Sequence, residues 1–247
     1  MHLFLSTYFI FLTKYRQTVL GPLWVLVGPS LFIATLGALY AEIGATDAEE
    51  FVPHLTIGLI TWTLINGFII GSATVFQRAR AQIFNGLQSL DEIVIIDIFR
   101  TMLIFAHQLP IILIVFWIFD IRLGWGVLEC LLGLLLLVAN GYWACFVFGV
   151  LGARFRDLGE LFNAIMRISF LATPIIWVPT KDMETGIIGS FLVYNPFYHF
   201  VDVIRAPLLG QSVSLLSWSI LLVLTLSGFL TASLLKKYYS HRLVFWL

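Results

Sequence analysis

Residues 14–29 read KYRQTVLGPLWVLVGP, and this run decides what kind of chain follows. Lys14 and Arg16 hold its near side in a polar layer, Gly21-Pro22 breaks whatever precedes it, and Trp24 falls where an amphipathic ring favours the headgroup boundary. From Gly21 to Ala41 there are 21 residues without a formal charge, about the ~20 that a helix needs to cross the hydrocarbon of a bilayer. A basic lead, a Gly-Pro break and a crossing arrive in one short run, and the rest of the chain repeats or completes that arrangement.

Composition agrees. Of the 247 residues 60% are hydrophobic and only 11% charged, against roughly 25% charged in soluble domains, and the mean hydropathy is +0.97. The apolar runs are long and continuous, without the alternation of ~10-residue barrel strands. The fold class expected is therefore all-α integral membrane, with six transmembrane helices. Cys130 and Cys145 lie in one apolar stretch with neither metal-site nor disulfide spacing and read as small apolar residues. The start, MHLFLSTYFIFLT, has its cations after the apolar run and no cleavage site, so residues 1–20 read as an amphipathic helix lying in the interface.

The crossings are expected at 21–41, 54–76, 98–119, 127–153, 160–179 and 213–235, with a polar segment at 77–97 between the second and third. Asp91-Glu92 lie in that segment and Arg78 and Arg80 at its start. No carboxylate is placed in the middle of a crossing, which disfavours an ion-coupled transporter. Arg167 interrupts the fifth crossing, which Pro174 and Pro179 close. Residues 186–209, split by Asn195-Pro196 and carrying Asp202 and Arg205, fit re-entrant helices that dip into the membrane and return. Lys14, Arg16, Arg78, Arg80, Arg154, Arg156, Lys236, Lys237 and Arg242 fall on one side of this arrangement, and Arg122, Lys181 and Arg205 on the other. That asymmetry puts both termini in the cytoplasm.

The chain lacks a GxxxxGK[ST] phosphate loop, an HExxH motif, a Cys-pair metal site and a GxSxG elbow, so no catalytic residue and no metal is assigned. His107 and Gln108 sit inside the third crossing just before Pro110. The histidine is either a functional group at membrane depth or a partner for backbone freed by the proline. Trp24 and Phe32 share a face of the first crossing, and Phe162, Phe170 and Trp177 recur every two turns of the fifth. Such stripes serve packing or lipid contact, and they would also suit a path for sugars, whose C–H faces lie flat on aromatic rings.

Together these pieces resemble the permease subunits of ABC transporters that export O-antigen, capsule and teichoic-acid polysaccharides. The resemblance rests on Tyr15-Arg16-Gln-Thr-Val-Leu-Gly21-Pro22-Leu-Trp24 with Pro29, on Arg154-Phe155-Arg156-Asp157, and on Thr173-Pro174-Ile-Ile-Trp177. It rests also on Asn195-Pro196-Phe-Tyr-His-Phe with Asp202, Arg205 and Ala206-Pro207-Leu-Leu-Gly210. It covers nearly the whole chain, with one departure: relatives often carry prolines in the coupling region, and none occurs here between Pro53 and Pro110.

The resemblance implies a non-enzymatic, multi-pass subunit of a bacterial inner membrane. It works as a homodimer with two copies of a separate ATPase that holds the ATP and magnesium. The conduit would be lined by Trp24, Phe32, Phe162, Phe170 and Trp177, with Gly21-Pro22 as the hinge. Residues 77–97, through Asp91, Glu92, Arg78 and Arg80, would couple to the ATPase. Lys14, Arg16, Arg154 and Arg156 would lie at headgroup depth, where each serves as a topology anchor or meets an acidic lipid phosphate. Asn195, Pro196, Asp202 and Arg205 would form the external gate. An exporter of lipids or hydrophobic drugs shares this architecture, and an intramembrane glycan-modifying enzyme is the remaining alternative.

Overall fold

The computed structural model describes residues 2–14, 16, 18–43, 47–179 and 186–247, so the polar patch 180–185 and part of the acidic loop 42–51 lie outside the described residues. Those described are helices joined by turns, with no strand among them. In chain order the helices are α1 (His2–Lys14), α2 (Trp24–Ile43), α3 (Ala48–Ser72), α4 (Val75–Arg78), α5 (Arg80–Phe84) and α6 (Leu90–Ile118). Then follow α7 (Gly126–Arg154), α8 (Leu158–Ala172), α9 (Ile187–Tyr194), α10 (Pro196–Leu208) and α11 (Leu215–Trp246). Five of them are long and apolar enough to cross a membrane: α3, α6, α7, α11, and α2 with the 3-10 turn Gly21–Leu23 that leads into it. The chain is an integral membrane protein built of helices.

Gly21 stands at φ +56°, in the left-handed region that a Cβ disfavours. Pro22 then supplies the fixed φ and missing N–H that suit the first turn of a helix. Residues 21–22 thus set the angle between α1, which packs on α6, and α2.

α3 is the centre of the molecule. It carries buried residues on every face, among them Phe51, Leu55, Ile57, Ile60 and Leu64, because α2, α6, α7, α8 and α10 all pack around it. α2 lies at the margin and buries only Ile33 and Gly37. α7 packs closely through Gly133, Gly141 and Gly149, each step of eight residues turning about 80° around the helix so that the three meet different elements. A Cβ on them would meet the Val203 carbonyl at 2.8 Å, the Phe68 ring at 2.8 Å and Val75 Cγ1 at 2.6 Å. Small residues let helices approach where lipid offers no hydrophobic drive for their association.

Two elements depart from the sequence expectation. α6 begins at Leu90, eight residues ahead of the expected 98, because Ser89 and Glu92 form a capping box. The Ser89 Oγ accepts the Glu92 N–H at 3.3 Å and the Glu92 carboxylate accepts the Ser89 N–H at 2.7 Å. The segment 77–97 is therefore divided into α4, α5, a turn and the first two turns of α6. Asp97, expected outside a crossing, is buried in that long helix.

The second departure is α8, which stops at Ala172 rather than reaching 179. Pro174 has no N–H to give and pushes Thr173 out of the helical region. Fifteen residues make a helix of about 22 Å, short of the ~30 Å hydrocarbon core. Trp177 consequently lies beyond the helix, where its indole N–H donates to the Leu171 carbonyl at 3.1 Å.

Candidate conduit, gate and coupling surfaces

The aromatic residues do not form one stripe on α8. Phe162 packs on Phe148 of α7, ring centroids 4.7 Å apart. Phe170 instead meets Phe32 of α2 at 6.2 Å and Trp62 of α3 at 5.8 Å, and Trp62 continues to Phe197 of α10 at 5.4 Å. Phe32, Phe170, Trp62 and Phe197 thus run through four helices in edge-on and tilted contacts. Trp24 is half-exposed at the start of α2 and Trp177 closes the end of α8, so both stand apart from this row. Trp62 and Phe197 were missed in the sequence, since only the packing of α3 against α8 and α10 brings them to it.

Two polar clefts flank α3. One, of about 380 Å³, lies against α6 and is lined by residues that include Thr63, Asn66, Arg78, Asp97, Arg100 and Gln108. The other, of about 450 Å³, lies against α8 and is lined by Trp62, Asn66, Ile70, Asn163, Met166, Arg167, Phe170 and Leu171. Asn66 and Ile70 belong to both, so the clefts adjoin along α3. Asp97 is held by Arg78 at 2.7 Å, and the same guanidinium donates to the Gly71 carbonyl at 2.9 Å. His107 Nδ1 lies 2.7 Å from the Leu103 carbonyl in its own helix and its ring packs on Phe11 of α1. That carbonyl is not the Ala106 one that Pro110 leaves free.

The four residues expected at the external gate form one clamp. Asn195 caps α10, accepting the Phe197 N–H at 3.0 Å with Pro196 in the first turn. Its amide also donates to Thr173 Oγ1 at 3.0 Å. Arg205, buried, donates from one nitrogen to the Pro174 carbonyl at 2.6 Å and to His54 Nε2 at 3.0 Å. A guanidinium has only donors, so in that contact His54 Nε2 is the acceptor; the same nitrogen also lies 3.0 Å from the Pro174 carbonyl. Asp202 accepts from Ser217 of α11 at 2.8 Å, and Ser217 is also 3.0 Å from His199 Nδ1. This is not a hydrolytic triad: the carboxylate holds the serine instead of orienting the histidine, and Ser217 is fully buried.

On the opposite side of the molecule, the acids expected to contact a partner are engaged within the chain. Asp91 accepts from Tyr142 of α7 at 2.9 Å and pairs with Lys236 of α11, while Glu92 caps α6. The exposed groups of this segment include Arg78, Arg80, Phe84, Asn85, Gly86 and Leu87. Arg80 rests over the Phe84 ring at 5.3 Å, and Arg154 over both Phe155 and Trp246 at 5.9 Å. Arg16 and Arg156 are exposed, and the Lys14 side chain lies outside the described residues.

The Asp91–Lys236 pair is half in water, where such pairs contribute about 0.2–1 kcal/mol. In a double-mutant cycle of thermal unfolding, Asp91→Asn and Lys236→Met are therefore expected to couple by less than ~1 kcal/mol. A larger coupling would show that the pair holds α6 to α11 rather than decorating their contact.

Comparison with known proteins bears on what this arrangement serves. A family model described as ABC-2 type transporter matches residues 2–209. The O-antigen export system permease protein RfbA of Myxococcus xanthus is 20% identical over 194 residues, which cover 78% of this chain and 74% of the relative. A protein of the same description from Klebsiella pneumoniae is 21% identical over 222 residues, 88% of this chain and 82% of the relative. A second one from that organism is 21% identical over 188 residues, 74% of this chain and 70% of its own length.

Proposed function

The chain belongs to the ABC-2 type transporter family, and from that premise we propose that it is the permease subunit of an ATP-driven exporter of a lipid-linked polysaccharide. The observation that carries the cargo is the similarity to O-antigen export permeases over 74–88% of the chain. The aromatic row from α2 to α10 is consistent with it, offering sugar C–H faces flat surface without a tight pocket.

The subunit transports and does not catalyse; ATP and magnesium belong to a separate ATPase, present in two copies. The permease acts as a homodimer in the inner membrane of a bacterium, with both termini cytoplasmic. Support for the dimer comes from α2, a crossing that buries almost nothing in its own chain and so is open to a second copy. Support for six crossings comes from the five long helices, with the shorter α8 and the turn that follows it as the sixth. Pro22 and Gly21 pass motion from α1 to α2, and the clamp of Asn195, Asp202 and Arg205 carries the external gate.

Coupling is assigned to the stretch from α4 to Ser89, with Phe84 and Leu87 as its apolar contacts in place of Asp91 and Glu92. Leu87→Asp tests this reading. The variant permease is expected to insert and pair normally, to lose co-purification of the ATPase, and to leave cells without exported glycan. Retention of the ATPase by Leu87→Asp and by Phe84→Asp alike would remove the coupling assignment. Unchanged surface glycan in cells lacking this chain would remove the export function.

A further inference from the structure

The adjoining clefts on α3 contain a polar group that the fold leaves unserved. Gln108 lines the cleft against α6 and is 3% exposed, its Nε2 lies 3.5 Å from the Val25 carbonyl, and its buried Oε1 has no hydrogen-bond partner. An unpaired buried acceptor is costly. The neighbouring hydroxyls do not relieve it, since Thr63 donates to the Leu59 carbonyl at 2.9 Å and Thr101 to the Asp97 carbonyl at 3.0 Å. A donor from outside the chain would satisfy it.

Charge in the same groove is unbalanced. Asp97 is satisfied by Arg78 at 2.7 Å, whereas Arg100 stands 3.9 Å from it, beyond hydrogen-bond distance, and Arg167 has no ion pair among the described residues. Two guanidinium forks therefore border the groove with donors uncommitted, one from α6 and one from α8. Between them α3 presents Thr63, Asn66 and Ile70 at three- and four-residue spacing, a floor about 10 Å long. Trp62 and Phe170 add an aromatic wall.

We propose that this groove binds a sugar phosphate: the phosphate-linked first sugar of the lipid-borne glycan, a reading that rests on the export function above. Arg100 and Arg167 bond the phosphate, for which the planar fork is suited. A sugar hydroxyl donates to Gln108 Oε1, Asn66 offers both donor and acceptor to its neighbours, and Trp62 covers the apolar face.

The test uses the full chain in lipid nanodiscs, with Cys130 and Cys145 replaced by serine and Ile70→Cys, which lines both clefts, as a reporter labelled by a soluble maleimide. N-acetylglucosamine 1-phosphate is expected to slow labelling at lower concentration than either inorganic phosphate or N-acetylglucosamine, in discs with or without phosphatidylglycerol. Gln108→Leu should raise the protecting concentration of the sugar phosphate about fivefold without changing that of inorganic phosphate. Arg167→Gln, exposed and outside the packed core, should raise it roughly tenfold or more for both, and it carries the test if Gln108→Leu fails to insert.

Equal protection by inorganic phosphate, indifferent to Gln108, would overturn the proposal in favour of a plain anion site. Protection by phosphatidylglycerol alone would reduce it to a lipid contact, and absence of protection to a hydrated cleft. Export in cells separates this from the function itself. If wild type, Gln108→Leu and Arg167→Gln restore surface glycan equally, the export reading stands and the groove falls.

Discussion

Replacing Arg205 with methionine is expected to remove most of the correctly folded protein from the membrane. Its guanidinium is buried, and one nitrogen serves both the Pro174 carbonyl and His54 Nε2. Hydrogen bonds from a charged group contribute about 1.5–3 kcal/mol each. Removing both leaves His54 Nε2 and the Pro174 carbonyl 3.0 Å apart, a pair that only the imidazole tautomer with its proton on Nε2 reconnects. Against a total stability of ~5–15 kcal/mol, a loss on the order of 3–6 kcal/mol is a large fraction. Arg205→Lys keeps the charge but presents a compact ammonium instead of a fork, and should fall between the two. Thermal unfolding of the purified protein orders the three. A methionine variant as stable as the wild type would show that Arg205 is not the tie between α10, α3 and the end of α8.

Gly152→Val is expected to be comparably damaging for a steric reason. A Cβ built on Gly152 overlaps the carbonyl of Ala73, a backbone atom that no rotamer change can move. The Gly152 carbonyl also accepts from Gln77 at 2.7 Å, so the displaced segment takes α4 with it. Overpacking typically costs about 1–3 kcal/mol and sometimes more, and here it falls at the root of the stretch assigned to ATPase coupling. Gly28→Ala in α2 supplies the contrast, because nothing lies within 4 Å of its Cβ position and a helical Gly→Ala gains about 0.5–1 kcal/mol. The two variants should move the unfolding temperature in opposite directions. If Gly152→Val unfolds with the wild type, the α4–α7 contact is looser than its geometry requires.

Much of this was legible in the residues. Charge-free runs marked the long helices because hydrocarbon excludes charge, and Asn195-Pro196 marked a break because the pair caps and starts a helix. The start of α6 was written there too: Ser89 and Glu92 stand at capping-box spacing, but the acids nearby read as solvated connector. The glycines at 133, 141 and 149 recur every eight residues and were a visible signal of close packing that went unused.

The site was harder to read. Asp97 looked solvent-bound because its partner, Arg78, is 19 residues away across a turn. Trp62 joins Phe170 only once α8 ends early and packs on α3. Gln108 could be placed inside a helix from sequence, but its lack of a partner is a property of the assembled clefts.

The shortness of α8 has a consequence for the bilayer itself. A helix of about 22 Å beside neighbours long enough to cross ~30 Å of hydrocarbon creates a hydrophobic mismatch, and lipid answers a short segment by thinning locally. The aromatic row and the groove that ends at Arg167 border that same helix. Where the membrane is pinched, the apolar distance a hydrated polymer must cross is shorter, and Pro174 acts on it by ending the helix.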